Sequence, residues 1–210
     1  MRSKRAVYNI MSNLMLQVTV VVYGFIIPKI IINHFGSSVN GLISSITQFL
    51  AYITLLESGF GPVVKATLYK PIAEKDNEAI KTILKTTEIF FRRIAKIFLV
   101  YITILTIVYP LFINREFEII YTISLIIIIS MSTFAEYFFG MTYKLYLQAE
   151  QKTYIISFIQ IATYIFSIIC IILLAKLNVS IQVLKLISGM IFVLRPLLQN
   201  LYVRKNIKSI

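Results

Sequence analysis

The chain has 210 residues, of which 58% are hydrophobic and 14% are charged, and its formal net charge is +12. Soluble domains are about 45–50% apolar and about 25% charged, so this composition excludes an ordinary soluble domain and indicates a membrane protein. The basic residues lie in the gaps between apolar runs rather than within a soluble fold, which argues against nucleic acid as a partner.

Six apolar runs are long enough to cross about 30 Å of hydrocarbon, a distance that takes roughly 20 helical residues. The predicted spans cover residues 9–32, 39–68, 94–112, 119–146, 154–174 and 181–203. Asp76 is placed to cap a helix that runs from Asn77 into the third span, so residues 77–96 are predicted to form an amphipathic cytoplasmic extension. We therefore expect an all-α polytopic protein in which one six-helix membrane domain covers residues 1–210.

The distribution of positive charge predicts the orientation of these spans. If the N-terminus is cytoplasmic, seventeen of the 21 Lys and Arg residues fall on the cytoplasmic side. The others are Lys29, Arg115, Lys176 and Lys185. Because cytoplasmic loops carry the excess of Lys and Arg, both termini are predicted to be cytoplasmic.

Three ionisable residues on three different helices fall within the predicted membrane. At 1.5 Å per residue, Glu57, Glu136 and Arg195 lie about 27, 25 and 21 Å from the outer ends of their helices. Lys65 lies a turn or two further along its helix. Charged groups in a bilayer are costly and face the interior of the bundle. They either form an ion-pair clamp, with the carboxylates neutralising Arg195 and Lys65, or line a polar cavity open to the cytoplasm.

Helix-weakening residues accompany these charges. Gly59, Gly61 and Pro62 follow Glu57 and predict a bend or a break in the second helix, and Gly24 and Pro28 predict a similar bend in the first. Broken helices at the level of the substrate are common in transporters, although small residues also permit close helix packing. We interpret these positions as candidate gating elements.

A family resemblance supports this interpretation. The stretch GFIIPKIIINHFGSSVNGLISSITQFLAYITLLESGFGPVVKATLYKPIAEKD resembles the first two helices of bacterial oligosaccharidyl-lipid flippases. These form the polysaccharide transport family of the multidrug/oligosaccharidyl-lipid/polysaccharide exporter superfamily. The segments FFRRIAKIF and YKLYLQAEQKTYIISFIQ carry the same resemblance, which covers essentially the whole chain.

The resemblance implies a fold and an activity. Members have two six-helix lobes around a central cavity and move undecaprenyl-pyrophosphate-linked sugars across the bacterial inner membrane by alternating access. In relatives, cationic residues facing the cavity hold the pyrophosphate, and Lys29, Lys65 and Arg195 match them in kind. The chain then corresponds to the N-terminal lobe only. Its expected partners are membrane lipid, the lipid-linked sugar, and a missing second lobe or a second copy of the chain.

We therefore expect a lobe of a flippase that serves polysaccharide export. Lys65 and Arg195 would attract the pyrophosphate, and Glu57 or Glu136 would titrate or bind a cation during the cycle. An ion-coupled drug exporter of the same superfamily is an alternative. So is a membrane scaffold that docks on glycan-synthesis proteins. The amphipathic stretch 77–96, with Arg92 and Arg93, would then serve a protein partner or anionic lipid, although charges along a helix more often face water.

An enzyme is not expected. The only histidine, His34, lies in a predicted outer turn, and the sequence contains no metal-ligand cluster, no phosphate-binding glycine loop and no nucleophile beside a base. Neither a metal nor a cofactor is therefore predicted.

Overall fold

A computed structural model describes residues 2–113 and 116–206. Side chains are described throughout these ranges except at positions 2, 3, 56, 57, 112, 113 and 206. Over these ranges the chain is helical with short connections and contains no β-strand, in agreement with the predicted all-α class.

Five of the six predicted spans coincide with long continuous helical stretches. The helices are α1 (Arg2–Phe35), α2 (Ser37–Ala51), α3 (Thr54–Glu57), α4 (Phe60–Glu74), α5 (Asn77–Val108), α6 (Ile119–Ala135), α7 (Met141–Ala149), α8 (Thr153–Lys176) and α9 (Ile181–Asn206). A π-helical segment, Tyr109–Ile113, continues α5, and a second, Glu136–Gly140, joins α6 to α7.

Five continuous helical stretches are long and apolar enough to cross a membrane. They are Lys4–Phe35, Asn77–Leu111, Ile119–Ala149, Thr153–Lys176 and Ile181–Lys205. The predicted second span is not one of them, because residues 37–74 are divided into α2, α3 and α4, the longest of which has 15 residues. The chain is thus a multi-pass helical protein by the length and composition of its helices.

The interruptions between α2 and α4 have local causes. Pro62 has no N–H to donate to the Ser58 carbonyl, so one bond of the helical ladder is missing beside the turn at Ser58 and Gly59. Hydroxyl groups satisfy nearby carbonyls: Thr54 Oγ1 donates to the Ala51 carbonyl at 2.7 Å, and Ser58 Oγ donates to the Leu55 carbonyl at 3.0 Å. The break therefore lies beside the residues that predict it, and their role in gating stays a prediction.

The first helix behaves differently. α1 continues through Gly24 and Pro28 as one helix of 34 residues. A β-carbon at Gly24 would meet no atom within 4 Å, so close packing does not require glycine there. In contrast to the second predicted span, α1 is not divided at these two positions.

Polar contacts fix the N-terminal half of α1 against the start of α8. The Asn9 amide group donates to the Gln151 carbonyl at 3.0 Å and accepts from the Tyr154 backbone N–H at 2.9 Å. Ser157 donates to Asn13 at 2.7 Å. These three bonds join the two helices and help to align them.

The other major packing pairs are α6 with α9, α8 with α9, α5 with α6, and α4 with α7. One continuous cluster of buried apolar side chains connects them. Asp76 caps α5 as predicted, and its carboxylate accepts from the Ala79 backbone N–H at 3.0 Å. The packing of α6, α8 and α9 around the second π segment produces the cavity described next.

Candidate functional site

A polar cavity of about 570 Å³ opens between the broken second span, the α6–α7 rod, α8 and α9. Its described polar side chains come from every one of these elements: Thr54, Ser58, Ser132, Thr133, Glu136, Lys144, Gln160 and Arg195. Polar groups at this depth in apolar helices have no favourable contact with lipid tails. The cavity is therefore the natural place for a polar ligand or for water.

An ion pair lies on one wall of the cavity. Lys144 Nζ donates to Glu136 Oε1 at 3.1 Å, and both side chains are about three-quarters buried. Glu136 opens the second π segment and Lys144 lies on α7. The two charges neutralise each other, so this wall contributes little net charge.

Arg195 adds a cationic side chain to the lining of the cavity. Its Nε donates to Thr163 Oγ1 at 2.7 Å, and its guanidinium carbon lies 4.1 Å from the ring centroids of both Tyr164 and Phe192. The two rings are themselves in edge-to-face contact, and a guanidinium packed against both is stabilised in its charged form without a carboxylate. Its Nη2 is buried and has no hydrogen-bond partner in the described part of the chain.

The cavity depends on close contact between two helices. A β-carbon built on Gly140 would lie 2.5 Å from Pro196 Cβ and 3.0 Å from Pro196 Cα. Only glycine allows the π segment to approach α9 so closely. This contact brings Glu136, on the π segment, and Arg195, beside Pro196, to the same cavity.

The structure brings together only part of the predicted site. Glu136 and Arg195 both line the cavity. Lys65 on α4 is half-buried and Lys29 on α1 is exposed, and neither lines it. The side chain of Glu57 lies outside the described residues. The predicted clamp is wrong for Glu136, whose partner is Lys144 rather than Arg195 or Lys65.

Gln17, Gln48 and Gln160 lie near the middle of three predicted spans. Gln160 lines the cavity, whereas Gln17 and Gln48 are exposed on α1 and α2. Gln160 is therefore the one whose amide group is available to a ligand in this cavity.

Several side chains of the candidate site could not be predicted from the sequence. Lys144 is eight positions from Glu136, a spacing that does not indicate an ion pair on a regular helix. Thr163, Tyr164 and Phe192 carry no signal either, because a hydroxyl or an aromatic ring is ordinary in an apolar helix. The one available signal was Arg195 itself, since a buried guanidinium needs hydrogen-bond acceptors and aromatic faces.

A larger cavity, of about 690 Å³, lies at the ends of α1, α4 and α7. Its charged lining residues are Arg5, Lys75 and Glu150. Arg5 donates to the Glu150 carbonyl at 3.5 Å, and the Glu150 carboxylate pairs with Lys152. These groups serve contacts between helix ends, so this cavity is a weaker candidate than the one between the spans.

Residues 2–113 and 116–206 contain no group of three or more His, Cys, Asp or Glu side chains that could hold a metal ion. No family model, curated protein or solved structure matched the chain.

Proposed function

We propose that the chain is one lobe of a transporter that flips an undecaprenyl-pyrophosphate-linked oligosaccharide across the bacterial inner membrane for polysaccharide export. The observation that carries the proposal is a polar cavity, within a bundle of apolar helices, that is lined by the guanidinium-bearing side chain of Arg195, which has no ionic partner in the described part of the chain. A lipid-linked sugar pyrophosphate combines an apolar chain, an anionic group and a polar sugar. The apolar chain would lie along the apolar helices, the anionic group would bind Arg195, and the sugar would contact the polar walls of the cavity.

The proposal includes a sixth crossing. Residues 37–74 together form a helical path that is long enough to span 30 Å in spite of its two interruptions. With this crossing the chain passes the membrane six times and both termini are cytoplasmic, which agrees with the distribution of Lys and Arg. The six helices then form a single lobe, whose cavity is completed by a second lobe or a second copy of the chain.

Arg195 is the residue that we assign to the pyrophosphate. Its aromatic neighbours and Thr163 hold the guanidinium plane in place, so little side-chain entropy is lost when an anion binds. Glu136 is the coupling residue in this proposal. Protonation of Glu136, or binding of a cation to it, would release Lys144 as a second positive charge in the same cavity.

The charge of the cavity separates this function from the export of cationic drugs. A cationic drug requires a free carboxylate, and Glu136 is already paired with Lys144. Among the described lining residues, Arg195 is the charge that remains without an ionic partner. A non-catalytic scaffold would need no such group, so the anion-binding interpretation has the stronger support.

The experiment compares two arginines on the same helix. The chain and its Arg195→Gln and Arg204→Gln variants are placed in lipid nanodiscs, and binding of a fluorescent undecaprenyl-pyrophosphate disaccharide is measured. Arg204 is the control, because it bonds to the Tyr143 hydroxyl and does not line the cavity. Since a hydrogen bond to a charged group contributes about 1.5–3 kcal/mol, Arg195→Gln should weaken binding about tenfold or more, and Arg204→Gln less than about twofold.

Two further measurements complete the test. The mass of the chain in nanodiscs shows whether one copy or two are present, and proteoliposomes show whether the lipid is flipped. Flipping by a dimer that is lost in Arg195→Gln would support a working unit of two copies. Equal binding by all three proteins would refute the assignment of Arg195, whatever the oligomeric state.

A further inference from the structure

A second basic site lies on the outside of the bundle, away from the polar cavity. Ile89, Arg92, Arg93 and Lys96 of α5 and Phe138 of the second π segment line a groove of about 380 Å³. Arg92 is already engaged, because it pairs with Glu88 and its guanidinium lies 5.3 Å from the centroid of the Phe138 ring. This arrangement fixes one wall of the groove.

The other two cationic side chains of the groove are available to a ligand. Arg93 and Lys96 are exposed, and neither has a hydrogen-bond or ion-pair partner within the described part of the chain. They are three residues apart on α5 and therefore project from neighbouring positions on one face. An anion with several oxygen acceptors can contact both.

The surface next to these cations is apolar. Starting at Arg93, an exposed stripe follows α5 at intervals of four and three residues through Ile97, Val100, Ile104 and Ile107. This spacing keeps the four side chains on the same face of the helix as Arg93. All four are branched aliphatic residues, so the stripe offers nothing to a polar partner and suits hydrocarbon chains.

The stripe and the cations lie on a helix that is long and apolar enough to cross a membrane. A phospholipid whose acyl chains lie along Ile97–Ile107 would have its phosphate group at the level of Arg93 and Lys96. We propose that Arg93 and Lys96 form a binding site for the headgroup of an anionic phospholipid, with the exposed stripe of α5 as the acyl-chain surface. This site is independent of the transported substrate and would hold a structural or regulatory lipid.

The two positive charges favour an anionic lipid over a zwitterionic one. Each Lys or Arg near an anionic membrane surface strengthens binding about fivefold. Lys81 and Lys85 are also exposed on α5. They lie about 12 Å or more from Arg93, toward the N-terminus of the helix. These two lysines provide a matched control. They carry the same total charge as Arg93 and Lys96 and lie on the same helix, but they do not line the groove.

The test uses native mass spectrometry of the full chain in detergent with palmitoyl-oleoyl phosphatidylglycerol or phosphatidylcholine. The unsubstituted chain should retain the anionic lipid in preference to the zwitterionic one. The Arg93→Gln/Lys96→Gln variant should lose this preference by about tenfold or more, since two charges act together. The Lys81→Gln/Lys85→Gln variant should stay within about twofold of the unsubstituted chain. Both pairs are exposed, so neither variant is expected to misfold, and circular dichroism checks this.

Three outcomes would overturn the proposal. Equal losses in the two double variants would show general attraction by the basic extension rather than a site. Equal binding of the two lipids would show that the groove does not select for charge. Displacement of the lipid by water-soluble glycerol phosphate at the same concentration would show a site for free phosphate and not for a membrane lipid.

Discussion

Glu136 and Lys144 form an ion pair with a distance of 3.1 Å between Oε1 and Nζ, although eight residues separate them on one continuous helical rod. In a regular α-helix eight residues turn through about 80° more than two full turns, which would place the two side chains on different faces. The π segment Glu136–Gly140 takes more residues per turn, because its N–H groups bond five residues back. The backbone N–H of Met141 accordingly donates to the Glu136 carbonyl. The extra residue in the turn removes most of the offset and brings the charges together.

The ion pair should be detectable as a coupling free energy. Glu136→Gln, Lys144→Met and the double variant form a cycle, measured by SDS unfolding in mixed micelles. Because the Lys144 and Glu136 side chains are only 27% and 24% exposed, we expect a coupling of about 1 kcal/mol or more. Either single substitution should lower the free energy of unfolding more than the double substitution does, since each single substitution leaves a charge in the cavity without its partner.

The control for this cycle is the pair Lys70–Glu74 on α4. Its atoms are 4.0 Å apart and its side chains are 82% and 58% exposed, so its coupling should be about 0.5 kcal/mol or less. Similar couplings for the two pairs would contradict the special role that the π segment gives to Glu136 and Lys144.

Gly140 should tolerate no β-carbon. Gly140→Ala places this atom 2.5 Å from Pro196 Cβ, against a residue whose backbone cannot move without displacing α9. We expect a loss of about 1–3 kcal/mol in the free energy of unfolding, measured in the same mixed micelles. Gly41→Ala is the control, because a β-carbon there meets nothing within 4 Å and the gain in helix propensity should leave stability unchanged or slightly higher. Equal stability of the two variants would show that the π segment can move away from α9 at little cost.

The Asp76 cap should stabilise the start of α5. Asp76→Ala removes the acceptor of the Ala79 N–H. We expect the free energy that opposes opening of the first turn of α5 to fall by about 1 kcal/mol. Hydrogen exchange at residues 77–82 measures this directly as faster exchange. Asp76→Asn should exchange nearly as slowly as the original chain, because asparagine caps as well as aspartate. Faster exchange in both variants would point to the negative charge rather than to the capping oxygen.

Cysteine labelling tests the proposed six crossings. In a Cys170→Ser background, single cysteines replace Ser37, Lys75 and Asn178, all of which are exposed. With cytoplasmic termini, an impermeant maleimide added to spheroplasts should label positions 37 and 178, and should label position 75 only after permeabilisation. Labelling of 37 and 75 from the same side would show that residues 37–74 do not cross the membrane.

The broken second span shows how far local sequence reasoning reaches. Gly59, Gly61 and Pro62 predicted an interruption there, because proline removes a specific donor from the ladder. The same reasoning extended to Gly24 and Pro28, where α1 continues as one helix. Local residues therefore indicate where a helix is weak, but whether the helix divides there is not decided by a proline or a glycine alone.

The sequence alone determined the helical class, the approximate positions of the five long apolar helices, the Asp76 cap and the cationic character of Arg195, because these depend on composition and on neighbours along the chain. The tertiary structure alone decided that Glu136 pairs with Lys144, that Arg195 packs against Tyr164 and Phe192, and that Lys65 stays out of the cavity. The ion pair depends on the phase of the helical rod after Ala135, whereas the other two relations depend on how α8, α9 and α4 pack. A single π segment changes the direction in which the following side chains point. Its contacts with α9, more than fifty residues further along the chain, help to stabilise it, and the apolar periodicity of α6 does not reveal those contacts.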